Sequence, residues 1–162
     1  MNSLLQEMGI AAKAAANSLR KASTKQKNEG LLAMEAALYT HQDAILTANA
    51  KDIAAAAANG LPTPMIERLT LNPQRIKGMA DSFKEIAQLP DPVGYVEEMT
   101  KSADGLTIGK QRVPLGVIGI IYESRPNVTA DASALCFKSG NAVILRGGKE
   151  ALESNKAIMT AL

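Results

Sequence analysis

Two short apolar runs, residues 116–122 (GVIGIIY) and 141–145 (NAVIL), constrain what this chain can become more than any other feature. Each is continuous and rich in isoleucine and valine, the pattern of a parallel strand covered on both faces. Between them, residues 127–139 place Val128, Ala132, Leu135 and Cys136 on one helical stripe, predicted to face a sheet. Gly140 stands where a left-handed cap closes such a helix. Parallel strands need a crossover, and a helix of this length supplies one with the usual right-handed turn. The sequence therefore predicts an α/β fold built on a βαβ unit.

Open parallel sheets bind ligands beyond the carboxyl ends of their strands, where the following helix turns free N–H groups outward. Residues 123–127 (ESRPN) follow the first strand and residues 146–150 (RGGKE) the second. Gly147 and Gly148 are expected to let backbone approach a ligand closely. Arg146 and Lys149 place two cations beside a helix start, so the expected occupant is an anion. A Walker loop is excluded, because Val143 stands where its first glycine belongs and Glu150 where Ser or Thr should follow the lysine. The three-glycine dinucleotide fingerprint is also absent, since residues 122–127 hold no glycine. What remains is a Rossmann-like unit that holds a dinucleotide by a less common geometry.

The segments RVPLGVIGIIYESRPNVT and LCFKSGNAVILRGGKE together resemble the signature region of the gamma-glutamyl phosphate reductase family, a branch of the aldehyde dehydrogenase superfamily. The resemblance continues upstream through MGIAAKAAA, ILTANAKDIAAAAANGL, MIERLTLNPQRIKGMA and LPDPVG, and so covers essentially the whole chain. It implies NADPH-dependent reduction of L-glutamyl 5-phosphate to L-glutamate 5-semialdehyde with release of phosphate, the second step of proline synthesis from glutamate. Aligned on NAVILRGGK, Arg146 takes the position of a superfamily lysine that contacts the adenosine ribose. Lys149 takes the position that separates a free 2′-hydroxyl from a 2′-phosphate. Many NAD-linked relatives carry glutamate there, which repels a phosphate, whereas a lysine attracts it and favours NADP. Tyr122, Glu123 and Ser124 are then expected to line the dinucleotide groove with Gly147 and Gly148. Asn127 is the nearest match to the superfamily asparagine that donates to the oxyanion of the reacting carbonyl. Arg125-Pro126 precede it, and the aromatic of many relatives is absent.

Family members carry a catalytic cysteine far downstream that attacks the acyl phosphate and holds the substrate as a thioester. No residue before Leu162 matches it, so the chain is expected to be an amino-terminal fragment, inactive alone. Its truncated sheet would expose an edge, which predicts marginal stability and aggregation for residues 1–162 by themselves. Cys136, the single thiol, sits on the predicted sheet-facing stripe and reads as a buried structural residue. One cysteine excludes an internal disulfide and suits a reducing compartment. His41, the single histidine, reads as a solvated residue at a helix junction, and no metal constellation is present.

Residues 1–90 read as a helical region packed on the cofactor domain, and residues 91–162 as a hairpin followed by the start of that domain. Leu4, Leu5, Met8, Ala12, Ala15 and Leu19 form the first stripe, and a second helix begins at Thr24 with Leu31, Met34 and Leu38 on its apolar side. The alanine run 54–58 favours helix, and Asn59-Gly60 ends it. Thr63-Pro64 and Asn72-Pro73 each read as a polar cap followed by proline at the first helical position; the second helix points Ile76, Met79, Phe83 and Ile86 inward. Leu89-Pro90-Asp91-Pro92 halts helix formation, and residues 95–111 read as a hairpin around Asp104-Gly105. That hairpin is either a subunit contact, as in the superfamily, or a local edge.

A net charge of +2 over 162 residues is too small to indicate nucleic acid. No signal-like apolar core precedes residue 23, and no stretch approaches membrane-spanning length, so a cytoplasmic location is expected. With tryptophan absent, packing leans on Ala, Leu, Ile and Val. The expected partners are a second copy of the enzyme, glutamyl phosphate and, for channelling, glutamate 5-kinase. The rivals are another acylating or ordinary aldehyde dehydrogenase, and a non-catalytic dinucleotide-binding or interaction module.

Overall fold

The computed structural model describes residues 3–162. The expectation that residues 1–23 form no signal-like apolar core includes Met1 and Asn2, which lie outside the described residues. Five helices come first: α1 (Ser3–Leu19), α2 (Thr24–Thr40), α3 (Gln42–Ala58), α4 (Thr63–Leu69) and α5 (Pro73–Gln88). A hairpin of β1 (Val96–Lys101) and β2 (Thr107–Gln111) follows, then β3 (Val117–Ile121), α6 (Pro126–Lys138), β4 (Ala142–Arg146) and α7 (Leu152–Ala161). None of the described helices is long and apolar enough to cross a membrane.

Local chemistry sets several of these boundaries. Ser23 and Gln26 form a reciprocal capping box at the start of α2, satisfying two otherwise free donors. Asn72 accepts the amide of Arg75 at 2.8 Å, with Pro73 at the first helical position of α5. The expected cap at Thr63 is displaced: Pro62 precedes α4, Thr63 is already helical, and no side chain caps it. The alanine run closes α3 as expected, with Asn59 as cap and Gly60 beyond it at φ 69°. His41 lies exposed between α2 and α3.

The core is formed between helices. Leu31 and Leu38 of α2, Ile45 of α3 and Ile76, Met79, Phe83 and Ile86 of α5 meet Ala130 and Ala134 of α6 and Ile158 of α7. At the edge of this layer Lys27, 1% exposed, reaches Asp91 at 2.6 Å, and Lys138 donates to Asn28 and to the carbonyl of Ala87. The loop after α5 is thereby tied to α2, and α6 is tied to α2 and to the last turn of α5.

The stripe predicted for α1 is only partly covered: Met8, Ala12, Ala15 and Leu19 line a cavity against β4, with Ala12 and Leu19 half-buried. Ala16 is the buried residue of the helix, while Leu4, Leu5 and Met8 are 58%, 64% and 40% exposed. The sheet beneath α1 is only two strands wide, so the apolar positions of its first turns have nothing to cover them.

β3 and β4 pair in parallel, from Val117 opposite Ala142 to Ile121 opposite Arg146. Asn141 anchors this register: its Oδ1 accepts the amide of Gly116 at 2.8 Å, and its Nδ2 donates to Ser139. Gly140, at φ 75°, supplies the left-handed cap that ends α6, with the Asn141 amide bonding back to Cys136. Two expectations fail. The strands are not covered on both faces: β3 alternates between exposed and half-buried, with Ile121 84% exposed. The α6 stripe is also rotated. Ala132 and Cys136 are buried as expected, but Leu135 is 52% exposed and Val128 half-buried. The small residues Ala130 and Ala134 let α6 approach α5 closely, so the helical layer takes the face assigned to the sheet.

The β1–β2 hairpin is antiparallel, with an irregularity between Val96 and Glu98, and all of its strand residues are exposed. It turns through Gly105, at φ 80°.

Candidate functional site

The parallel register brings the ends of β3 and β4 side by side, and the Tyr122 amide extends the pairing by bonding the Arg146 carbonyl at 3.1 Å. The loops that follow then lock together. Tyr122 Oη lies 2.6 Å from Thr129 Oγ1, which donates to Asn155 Oδ1 at 2.8 Å. Ser124 Oγ donates to Glu150 Oε2 at 2.6 Å. Four expected residues, Tyr122, Ser124, Gly147 and Gly148, thus gather at one junction.

The glycines serve this junction differently from the sequence reading. A Cβ on Gly148 would run into Ser124 Oγ and come within 3.0 Å of the Ser124 amide, and one on Gly147 would strike Asn155 and the Tyr122 ring. The close approach that demands glycine is therefore between the chain's own two loops, not between backbone and ligand.

Arg146 and Lys149 are exposed beside the junction, and Arg146 Nη1 donates to the Gly147 carbonyl. Glu150 follows Lys149 and feels both charges. The Ser124 hydroxyl, its own backbone amide and the charges of Lys149 and Arg146 hold its carboxyl below the usual range. Glu123 is exposed, with Arg125 Nε 3.9 Å away.

Asn127 lies in the first turn of α6, on the far side of Arg125, and donates to Asp131 at 3.4 Å. It lines a cleft of about 550 Å³ with Arg68, Arg75, Arg125 and Asp131. Burial pushes the Asp131 carboxyl upward against the opposing pull of Asn127. Arg75 Nη1 donates to the carbonyls of Glu67 and Thr70, so the end of α4 and the following loop orient its guanidinium. A second cleft, of about 420 Å³, runs from Arg68 and Arg125 to Ser124, Gly148 and Glu150, linking Asn127's surroundings to the loop junction. Arg146 and Lys149 line neither cleft.

Sequence reasoning missed Arg68 and Arg75. Their signal lay in RLTLNPQR, where two arginines flank a helix break, but only the fold brings that break against the start of α6. Cys136 is buried, and burial raises its thiol pKa, as suits an inert core residue. No group of three metal-ligating side chains occurs among the described residues.

No family model matches the chain. It is 56% identical over 158 residues to the gamma-glutamyl phosphate reductase of Listeria monocytogenes, a match covering 98% of this chain and 38% of that protein. Identity to the Carboxydothermus hydrogenoformans gamma-glutamyl phosphate reductase is 57% over 151 residues, covering 93% and 36%. The crystal structure of the Thermotoga maritima gamma-glutamyl phosphate reductase superposes with a TM-score of 0.93 at 43% identity, covering 97% of this chain and 38% of that one. The Saccharomyces cerevisiae gamma-glutamyl phosphate reductase gives 0.90 at 36%, covering 96% and 40%. In sequence and in fold the chain is a relative of the gamma-glutamyl phosphate reductases. It spans about 38% of the length of the curated relatives it matches.

Proposed function

We propose that the chain forms the cofactor-side portion of an enzyme that reduces L-glutamyl 5-phosphate to L-glutamate 5-semialdehyde with release of phosphate, in the cytoplasmic synthesis of proline. Residues 91–162 are its hairpin and the start of a Rossmann-like NADP domain, and residues 1–90 the helical region packed on it. The observation that carries this reading is the interlocked pair of loops at the carboxyl ends of the parallel β3–β4 pair, where such sheets bind nucleotides. The likeness to reductases along nearly the whole chain supplies the substrate.

The residues present suit a 2′-phosphorylated dinucleotide. Arg146 and Lys149 are exposed cations at the end of β4, with no carboxylate within ion-pair distance among the described residues. Arg146 would hold the adenosine ribose and Lys149 the 2′-phosphate, a discrimination by charge. Tyr122, Glu123 and Ser124 border the groove, and Gly147, by admitting Tyr122 and Asn155, and Gly148, by admitting Ser124, let the two loops beneath it close. When bound, NADPH supplies the hydride. Asn127 donates to the carbonyl oxygen of the acyl group, and no cysteine of this chain serves as nucleophile. The strands of the β1–β2 hairpin are exposed along their whole length and are the candidate contact with a second copy; glutamate 5-kinase is the candidate donor of the acyl phosphate.

The test is an assay of the intact gene product in the oxidative direction, with L-glutamate 5-semialdehyde, orthophosphate and either NADP or NAD. Phosphate-dependent formation of NADPH supports the reading. Oxidation that proceeds with coenzyme A and not with phosphate assigns the chain to another acylating dehydrogenase.

A further inference from the structure

The cleft between α4, α5 and the start of α6 gathers three guanidinium groups against one carboxylate. Arg68, Arg75 and Arg125 share its lining with Asn127 and Asp131. Asp131 accepts from Asn127 and forms no ion pair with any of these arginines. Arg75 is oriented by two backbone carbonyls, acceptors that aim the guanidinium without neutralising it. The carboxylate beside Arg125 is Glu123, 3.9 Å from its Nε and 79% exposed, a pairing too loose and too solvated to hold the cation. Arg68 has no carboxylate within ion-pair distance among the described residues. A helical surface gains nothing from keeping like charges together, so the arrangement suits a multivalent oxyanion, which planar guanidinium forks grip in pairs.

We propose that this cleft binds the phosphoryl group of the acyl phosphate, and orthophosphate in the reverse direction. Arg68 and Arg125 are the ligands, and Arg75, held by the end of α4, completes the positive wall. The inference rests on the reductase reading and adds the subsite that reading leaves unassigned. In an acyl phosphate the carbonyl and the phosphorus share a single bridging oxygen, so a carbonyl donor and the phosphate cations must adjoin. Asn127 and Arg125, two residues apart and lining one cleft, meet that requirement. The link through Arg68 and Arg125 to Ser124 and Gly148 places the subsite next to the nucleotide groove without merging with it.

Two other anions are chemically equivalent candidates, the α-carboxylate of the glutamyl group and the 2′-phosphate of the nucleotide, and kinetics separate them. Arg68→Gln in the intact gene product removes an exposed charge that makes no bond to the fold, whereas Arg75→Gln would also free the carbonyls of Glu67 and Thr70. In the oxidative direction, Arg68→Gln should raise the KM for orthophosphate at least about tenfold, the loss of one charge-assisted hydrogen bond. The KM values for NADP and semialdehyde should stay within about twofold. A rise confined to semialdehyde would give the cleft to the carboxylate, and one confined to NADP would give it to the nucleotide; either overturns the proposal, as does an unchanged phosphate KM. Orthophosphate titration followed by thermal unfolding reads the cleft without turnover, with stabilisation expected in the parent and lost in Arg68→Gln. Protection in an enzyme that never turns over would sink the reductase reading and the acyl-phosphate assignment while leaving an anion site. Turnover with an unaltered phosphate KM would sink the subsite alone.

Discussion

The Asp52 carboxylate accepts both the backbone amide of Ser154, at 2.8 Å, and its hydroxyl, at 2.6 Å, although the two residues lie 102 positions apart. Its other oxygen takes the Glu153 amide at 3.3 Å. The residue preceding α7, Ala151, has no side chain able to cap the helix, so a residue of α3 performs that role from across the fold. Asn49, one turn earlier on α3, donates to Ser154 Oγ and to the Leu69 carbonyl and accepts the Leu71 amide. The helix entered from Gly147, Gly148 and Lys149 is thus bolted to the helical layer.

Replacing Asp52 with Ala should strip this buried cap and leave two amides and a hydroxyl without their acceptor. A loss of about 1–3 kcal/mol is expected in the intact gene product, with Asp52→Asn retaining part of it. Chemical denaturation measures it; wild-type stability in Asp52→Ala would mean that water replaces the carboxylate at no cost.

Acid should loosen the contact between α2 and the loop after α5. Desolvation pushes the Asp91 carboxyl upward, yet hydrogen bonds from Lys27, Thr24 and the Val93 amide, with the Lys27 charge, outweigh it and hold the group below its usual range. A depressed folded pKa contributes stability that is complete above the unfolded value of about 3.9 and is lost as pH falls through the folded one. The acid limb of a stability curve should therefore flatten in Asp91→Asn. At neutral pH, Asp91→Ala should cost about 3–5 kcal/mol by leaving the Lys27 ammonium buried and unpaired.

Gly148→Ala should separate the two loops, because the added methyl meets Ser124 backbone as well as side chain. Overpacking of this kind costs about 1–3 kcal/mol. Nucleotide affinity should weaken alongside stability. A variant with normal unfolding and normal NADPH affinity would show that the junction yields freely.

Lys149→Glu should weaken NADPH about tenfold more than NADH if the exposed ammonium meets the 2′-phosphate. Dissociation constants for both nucleotides decide the matter, and equal losses would remove that role from Lys149.

Asn127→Ala should lower kcat by about a hundredfold or more, with little effect on nucleotide binding, as expected when an oxyanion donor is removed. A change in KM alone would instead make Asn127 a binding contact.

Much of the candidate site was legible because its residues are contiguous. Tyr122 to Ser124 and Arg146 to Lys149 each follow a recognisable strand, and a parallel pair joined by one helix must place both loops at the same end. The cleft was not legible in this way. Arg68 and Arg75 stand on either side of a helix break more than fifty residues before Asn127, and nothing local to RLTLNPQR specifies what packs against it.

Local periodicity, caps and turn residues determined the elements themselves: the capping box at Ser23, Asn72-Pro73 before α5, Gly140 after α6, and the two strands. These depend on hydrogen bonds and dihedral preferences within a few residues, which a sequence displays directly. Only the tertiary structure decided which helix faces were buried. Leu135 and the first apolar turns of α1 are as hydrophobic as the residues that fill the core, yet they remain exposed because burial requires a facing surface. It also decided that the demand for glycine at Gly147 and Gly148 comes from Ser124, Tyr122 and Asn155, a steric fact that exists only once the two loops have met.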